Sequence, residues 1–344
     1  MQKPLSALAL ATASVLVLSG CATTAADSGD GGGTEGEVQV VASTNVYGSL
    51  AAQIGGDRVE VTNLIDSAAK DPHSYEATAR DRLAVQKADL VIENGGGYDA
   101  FMTELREGSD AALITAVEFS HDYPDATVED HAVEDHADEQ PEQEHEHDHE
   151  HENGDEHAHA DEDHADHEHI AGFNEHVWFD AHTISHVVEQ IAADLTELDP
   201  AGKADYAANA EALTEDLTAI EGELDALHVK LEGTPVFITE PLPGLLAAAA
   251  GLDDVAPEGF ASAVEEGNDV APATLLEALA LIDDGKVGAV LANAQTGGSE
   301  TSRVEDAATQ ADIPVLTFSE LLEADQSYSE WMRSAISDLA TLGE

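Results

Sequence analysis

The chain has 344 residues, enough for two domains of ordinary size, and its 72 Asp and Glu against 12 Lys and Arg give a formal net charge of −60. Such a charge excludes nucleic acid as a partner, repels anionic lipid headgroups and attracts divalent cations. The single cysteine excludes an intrachain disulfide, so the fold must rest on an apolar core, for which the chain is long enough.

Residues 1–20 read as a secretory signal. Lys3 is its charged region and Leu5 to Leu18 its apolar stretch, which is too short for a membrane span. The segment ends Leu18-Ser19-Gly20-Cys21, which resembles a bacterial lipobox. That resemblance implies cleavage before Cys21 and lipid on its sulfur, hence a membrane-anchored protein on the extracytoplasmic face. The rest of 21–37, with DSGDGGGTEGE, reads as a flexible tether. No other segment reaches transmembrane length.

Short apolar runs then alternate with helical patterns. The runs 38–44, 59–65, 89–93 and 112–115 precede a His-rich segment, and 234–239, 253–256, 287–291 and 313–317 follow it. Strands of this kind separated by helices predict an α/β fold of two lobes, each a parallel sheet flanked by helices. Within the first lobe, DPHSYEATARD puts His73 after Pro72 on a strand-to-helix connection, with the next helix predicted to begin near Thr78. Open α/β sheets bind ligands on such connections, but an isolated histidine there is more often an ordinary loop residue.

Residues 121–169 hold twelve histidines among Asp and Glu, with no Lys or Arg. Imidazole and carboxylate are zinc-ligating groups, so the segment reads as a metal collector. It has almost nothing apolar to offset the entropy of ordering, which predicts a mobile loop. The alternative is a solvated acidic linker.

The following helix is predicted over 181–198, capped by Asp180, with Ile184, Val187, Val188, Ile191, Leu195 and Leu198 on its apolar face. His182 and His186 point away from that face and read as exposed histidines rather than a metal pair. A longer helix follows, predicted over 201–231 after Asp199 and Pro200, with Tyr206, Ala210, Leu213, Leu217, Ile220, Leu224, Leu227 and Leu231 at helical spacing. It exceeds what one lobe needs and reads as a stiff spine, or alternatively as a dimerisation helix. The predicted organisation is an N-terminal lobe over 38–199, a linking helix over 200–232 and a C-terminal lobe over 233–344, in a monomer.

VVASTNVYGSLAAQIGGDRVEVTNLI, DPHSYEATARD, ADLVIENGGGYD and HVWFDAHTISHVVEQIAADLTELDP together resemble the zinc and manganese substrate-binding lipoproteins of bacterial ABC importers, in order and over nearly the whole mature chain. The resemblance implies two lobes joined by one rigid helix, a metal in the interlobe cleft, and delivery to a membrane permease. It carries the first ligand to His73 in DPHSYE, the second to His176 in EHVWFD, and the third to Glu240, which opens EPLPGLLAAAAGL. The chain departs at the fourth position. Manganese-type members carry an Asp after the seventh strand, whereas this chain has Asn293 and Gln295 and no carboxylate before Glu300. That departure and the His-rich loop favour Zn²⁺ as the transported ion, with Mn²⁺ as the alternative. Binding that needs neutral imidazole should weaken below about pH 6.5.

No catalysis is expected. His145-Glu-His-Asp-His149 matches the zincin pattern H-E-x-x-H, but that motif needs a packed helix and a low-complexity tract matches it by chance. An amino-acid receptor would need an Arg or Asp clamp, and no Arg aligns with the cleft motifs. A metal-storage or adhesin lipoprotein stays open as an alternative role.

Overall fold

The computed structural model describes residues 36–67, 70, 72–124, 170 and 172–343. The secretory signal, Cys21, the tether up to residue 35 and residues 125–169 of the predicted metal-collecting loop lie outside the described residues.

The first lobe runs β1 (Val38–Thr44), α1 (Asn45–Gly55), β2 (Val59–Ile65), α2 (Ala79–Val85), β3 (Leu90–Glu93), α3 (Phe101–Leu105), β4 (Ala112–Thr115) and α4 (Ala181–Leu198). A 3-10 turn over Pro200–Gly202 leads into the long α5 (Lys203–Leu231). The second lobe runs β5 (Thr234–Ile238), α6 (Gly244–Ala249), β6 (Leu252–Asp254), α7 (Phe260–Glu265), α8 (Pro272–Asp283), β7 (Ala289–Asn293), α9 (Ser299–Gln310), β8 (Val315–Phe318) and α10 (Tyr328–Ala340). Among the described residues, the strands form two parallel four-stranded sheets of like topology, β2-β1-β3-β4 and β6-β5-β7-β8. Chain order reverses beside β1 and β5, so the loops after the strands open a crevice at the carboxyl edge of each sheet.

The two helices predicted around the spine behave as their sequences dictate. Asp180 caps α4 by accepting the His182 N–H at 3.1 Å. Every predicted apolar residue of that helix is buried except Leu198, which is 40% exposed because it sits in the last turn before the chain bends at Asp199. All eight apolar positions predicted for α5 are buried. At 1.5 Å per residue α5 spans about 45 Å. Asp199 fixes its start: one carboxylate oxygen accepts from Arg58 Nε at 2.7 Å and from the Tyr206 hydroxyl at 2.8 Å.

One contiguous apolar core includes Val40 and Leu50 of the first lobe, Leu217 and Ile220 of the spine, and Ile238 and Leu291 of the second lobe. Helix α10 carries this core back across the lobes. Its Tyr328 hydroxyl donates to the Trp178 carbonyl at 2.7 Å, and its Trp331 stacks on Phe179 with ring centroids 4.7 Å apart. Asn45 adds a polar clip, donating to the Leu322 carbonyl at 2.8 Å and accepting the Leu322 N–H at 3.1 Å. No helix among the described residues is long and apolar enough to cross a membrane.

A buried acid at the end of β3 makes stability depend on pH. Desolvation raises the Glu93 pKa to about 7, and the charge of Asp99 adds to the shift; Arg106, whose Nε lies 2.9 Å from Glu93 Oε2, opposes it. The native state then holds a proton between about pH 4.5 and 7 that the unfolded chain has lost. Stability from this group is therefore present at low pH and declines as pH rises through that window. Urea titrations at pH 5 and pH 8 should show Glu93→Gln gaining roughly 1–3 kcal/mol on wild type between the two. A constant difference would show that Glu93 titrates normally.

Candidate metal centre

The two histidines singled out by sequence meet at the crevice. His73 lies in a 3-10 turn over Pro72–Ser74 that follows β2, and His176 precedes a second such turn over Val177–Phe179. Their rings lie 6.0 Å apart between centroids. Glu265, the last residue of α7, joins them: His73, His176 and Glu265 each offer a ligand atom, all within 4.8 Å of one another. Two imidazoles and a carboxylate, drawn from both lobes, form a donor set that can hold a divalent ion after a small contraction.

Tyr98 is the floor beneath the two rings. It packs edge-on against His73 with centroids 5.0 Å apart and against His176 at 5.8 Å. The loop before it is built from glycine for a steric reason. Gly95, Gly96 and Gly97 all have positive φ, and a Cβ on Gly95 would lie 2.5 Å from Thr115 Cγ2. Asp99 pins this loop by accepting the N–H of Asn94 at 2.7 Å and of Gly95 at 2.8 Å. The Asn94 side chain then donates to the Glu175 carbonyl at 3.0 Å, so the loop that lifts Tyr98 also fixes the residue before His176.

His176 is oriented by Asn174. Its Nδ1 lies 2.9 Å from Asn174 Oδ1, and the Asn174 amide nitrogen donates to the Pro241 carbonyl at 2.9 Å. The second contact fixes which end of the amide faces the ring. Nδ1 therefore carries the proton and donates to Asn174, leaving the Nε2 lone pair for a metal. Such a partner for the outer nitrogen is what a ligating histidine requires.

Glu240 follows β5 and is buried at 3% exposure, but it does not join the three-residue group among the described residues. The Thr296 hydroxyl donates to Glu240 Oε2. Asn293 and Gln295 serve a neighbouring acid. Asn293 Nδ2 donates to Glu320 Oε1 at 2.6 Å, and Gln295 Oε1 accepts the Glu320 N–H at 3.0 Å. Glu320, just after β8, is buried, and the Tyr98 hydroxyl donates to its Oε2 at 2.9 Å. Burial and the adjacent Glu320 charge push the Tyr98 pKa well above its ordinary value, which keeps the phenol a donor. The amides that follow β7 thus hold a carboxylate that follows β8. His182 and His186 are exposed as expected, with side chains 69% and 43% accessible.

Sequence reasoning missed Tyr98, Asn174, Glu175, Glu265 and Glu320. Glu175 opens the quoted EHVWFD motif, with Oε1 3.8 Å from His73 Nδ1, and Tyr98 lies inside ENGGGYD. Both were within reach of the motifs. Glu265 and Glu320 carry no local signal.

A family profile described as zinc-uptake complex component A, periplasmic (ZnuA), matches residues 40–342. The chain belongs to this family. It is similar to the manganese-binding lipoprotein MntA of Halalkalibacterium halodurans, with 28% identity over 245 residues, covering 70% of this chain and 66% of that one. It is also similar to the metal ABC transporter substrate-binding lipoprotein FimA of Streptococcus parasanguinis, with 31% identity over 109 residues, covering 30% of this chain and 33% of that one. The matched regions span roughly one third to two thirds of these relatives' lengths. Among solved structures, the periplasmic zinc-binding protein TroA of Treponema pallidum aligns with TM-score 0.63 at 17% identity, covering 90% of this chain and 99% of that one. A crystal structure of ZnuA aligns with TM-score 0.63 at 18% identity, covering 90% and 100%. At those identities the likeness is one of fold. This ZnuA-family chain shares with them its two parallel-sheet lobes and the long helix α5.

Proposed function

We propose that this chain is the extracytoplasmic receptor of a bacterial metal ABC importer: anchored by lipid on Cys21, it captures Zn²⁺ in the cleft and presents it to the membrane permease. The observation that carries this reading is the convergence of His73, His176 and Glu265 within 4.8 Å at facing lobe edges. His73, His176 and Glu240 are the proposed ligands inherited from the family resemblance. No step of bond making is required. The chain acts as a monomer over the proposed organisation of N-terminal lobe 38–199, linking helix 200–232 and C-terminal lobe 233–344, and the core shared by the lobes favours a small tilt on metal release over wide hinge opening.

A manganese reading has its own support. Glu175 and Glu265 stand beside the two imidazoles, and oxygen ligands suit Mn²⁺ better than they suit Zn²⁺. Calorimetric titration of the metal-free mature protein with each ion decides between them. One tight Zn²⁺ site with Mn²⁺ at least tenfold weaker supports zinc transport; the reverse order supports manganese.

The His-rich segment 121–169 is proposed to be an auxiliary collector with many weak sites. Removing residues 125–169 spares Tyr123, which packs edge-on against Phe173 with centroids 5.6 Å apart. The truncated protein should keep one tight site, lose the weak stoichiometric excess, and slow uptake only when zinc is scarce. Unchanged uptake under scarcity would dismiss the collector.

A further inference from the structure

We propose that His182 and His186 of α4 and Glu221 of α5 form a second, weaker divalent-metal site on the outer surface, one that takes zinc-like ions and not hard ions such as Mg²⁺. It uses none of the cleft's ligands and does not depend on the cleft reading. Alone, the two histidines are an exposed pair. The fold adds what their sequence could not show, because α5 packs beside α4 and sets a carboxylate against them. Residues four apart are neighbours on one helix face, and here the two rings lie 4.9 Å apart between centroids, edge to face. His182 Nδ1 lies 3.8 Å from Glu221 Oε1, and His186 Nδ1 lies 3.8 Å from Glu189 Oε2. Both separations are too long for hydrogen bonds, so neither carboxylate holds its ring in place that way.

Two histidines at this spacing on a helix are the framework that holds zinc in helical H-E-x-x-H sites, and two imidazoles with one glutamate are among zinc's usual donor sets. The fourth position falls to Glu189 or to water. The surrounding field favours a cation. Glu221 lines a surface cavity with Asp122, Asp180 and Asp225, and no Lys or Arg lines it among the described residues. The positive end of the α4 macrodipole works against a cation at His182, but the Asp180 carboxylate caps that end, 3.1 Å from the His182 N–H, and offsets it. Affinity is limited by geometry. The cleft donors already converge within 4.8 Å. The surface donors must rotate into place, which side chains 69%, 43% and 40% exposed have room to do at a cost in rotamer entropy. The site should therefore hold Zn²⁺ in the micromolar range, and Mg²⁺, which demands oxygen ligands, should gain nothing from it.

The test is carbethoxylation of the full mature protein with diethyl pyrocarbonate, read residue by residue by peptide mass spectrometry while Zn²⁺ is raised past saturation of the cleft. This reports on single histidines, so the His-rich segment does not mask them. His182 and His186 should lose reactivity together, by about tenfold or more, because a ligated nitrogen is no longer a nucleophile. His228, exposed on α5 with Nδ1 3.0 Å from the Ala249 carbonyl, should keep its reactivity. Mg²⁺ should protect none of them. His186→Ala should abolish protection of His182, and Glu221→Gln should raise the Zn²⁺ needed for half-protection by about tenfold. Both substitutions lie on the surface and should leave the metal-free melting temperature unchanged; His186→Ala carries the comparison should Glu221→Gln not fold. His73→Ala should leave the protection as it is, whatever it does to the cleft, so the two readings fail separately. Reactive His182 and His186 at saturating Zn²⁺, equal protection of His228, equal protection by Mg²⁺, or protection indifferent to either surface substitution would overturn the proposal.

Discussion

Replacing His73 or His176 with alanine is expected to weaken the tight metal site by more than about 100-fold, close to 3 kcal/mol. Each imidazole supplies one of the converging donors, and neither has a nearby histidine to take its place among the described residues: His182 and His186 lie out on the surface of α4. A single imidazole would be left with carboxylates alone, a weaker donor set for zinc. The measurement is chelator competition on the full mature protein, where the twelve histidines of the His-rich segment would otherwise mask the loss. His176 is 2% exposed, so its removal also opens a small void under Tyr98 and Trp178, whose rings lie 5.8 and 5.0 Å from it. His73→Ala leaves a void that opens to the crevice, where its side chain is 11% exposed. The two variants should therefore agree on affinity and differ in melting temperature. Affinity within about threefold of wild type in both would move the metal site away from this cleft.

The histidines were legible because each sits in a stretch whose local chemistry is unusual. Pro72 stiffens the turn before His73, and the apolar run Val177-Trp178-Phe179 buries the turn after His176. Glu240 was legible as the acid that closes a strand and opens a helix, but its neighbours were not: nothing in the local sequence announces that the Thr296 hydroxyl will donate to it. Glu265 and Glu320 stayed hidden for a different reason. Their roles exist only once the second lobe faces the first, and an Asp or Glu in a chain with 72 of them carries no signal of its own. The family resemblance places the fourth group after the seventh strand, where this chain has amides; in the folded chain those amides hold Glu320, which follows the eighth.

The fold was more readable than the site because it depends on patterns several residues long. Strands β1, β2 and β4 coincide with their predicted apolar runs. The second lobe drifted. The apolar run predicted as 287–291 pairs as Ala289–Asn293, since Asn293 is held in register opposite Phe318 although nothing apolar marks it as strand. The run predicted as 313–317 begins pairing at Val315, after Pro314, which has no N–H to give to a ladder. Apolar runs report burial, whereas strand ends are set by partners distant in sequence.

Leu217→Ala, at the middle of the spine, should lower stability by roughly 2–5 kcal/mol while leaving metal affinity within about threefold. Leu217 is fully buried, and it belongs to the same core as Val40 of the first sheet and Leu291 of the second. Truncating it removes a transfer contribution and leaves a cavity that neighbours on a rigid helix cannot collapse into. The consequence for mechanism lies in how the protein unfolds. If α5 and α10 make the lobes one cooperative unit, urea unfolding of the metal-free protein stays a single transition that moves to lower denaturant with unchanged slope. Chelator must be present, since bound metal would add its own stabilisation and hide part of the change. A split into two transitions, or a loss below about 1 kcal/mol, would show that the lobes are only loosely coupled and that opening by wide separation is open to them. A single shifted transition with intact metal affinity would instead mean that the spine holds the lobes at a fixed spacing, so that the metal enters and leaves through movement of the loops that carry His73, His176 and Glu265.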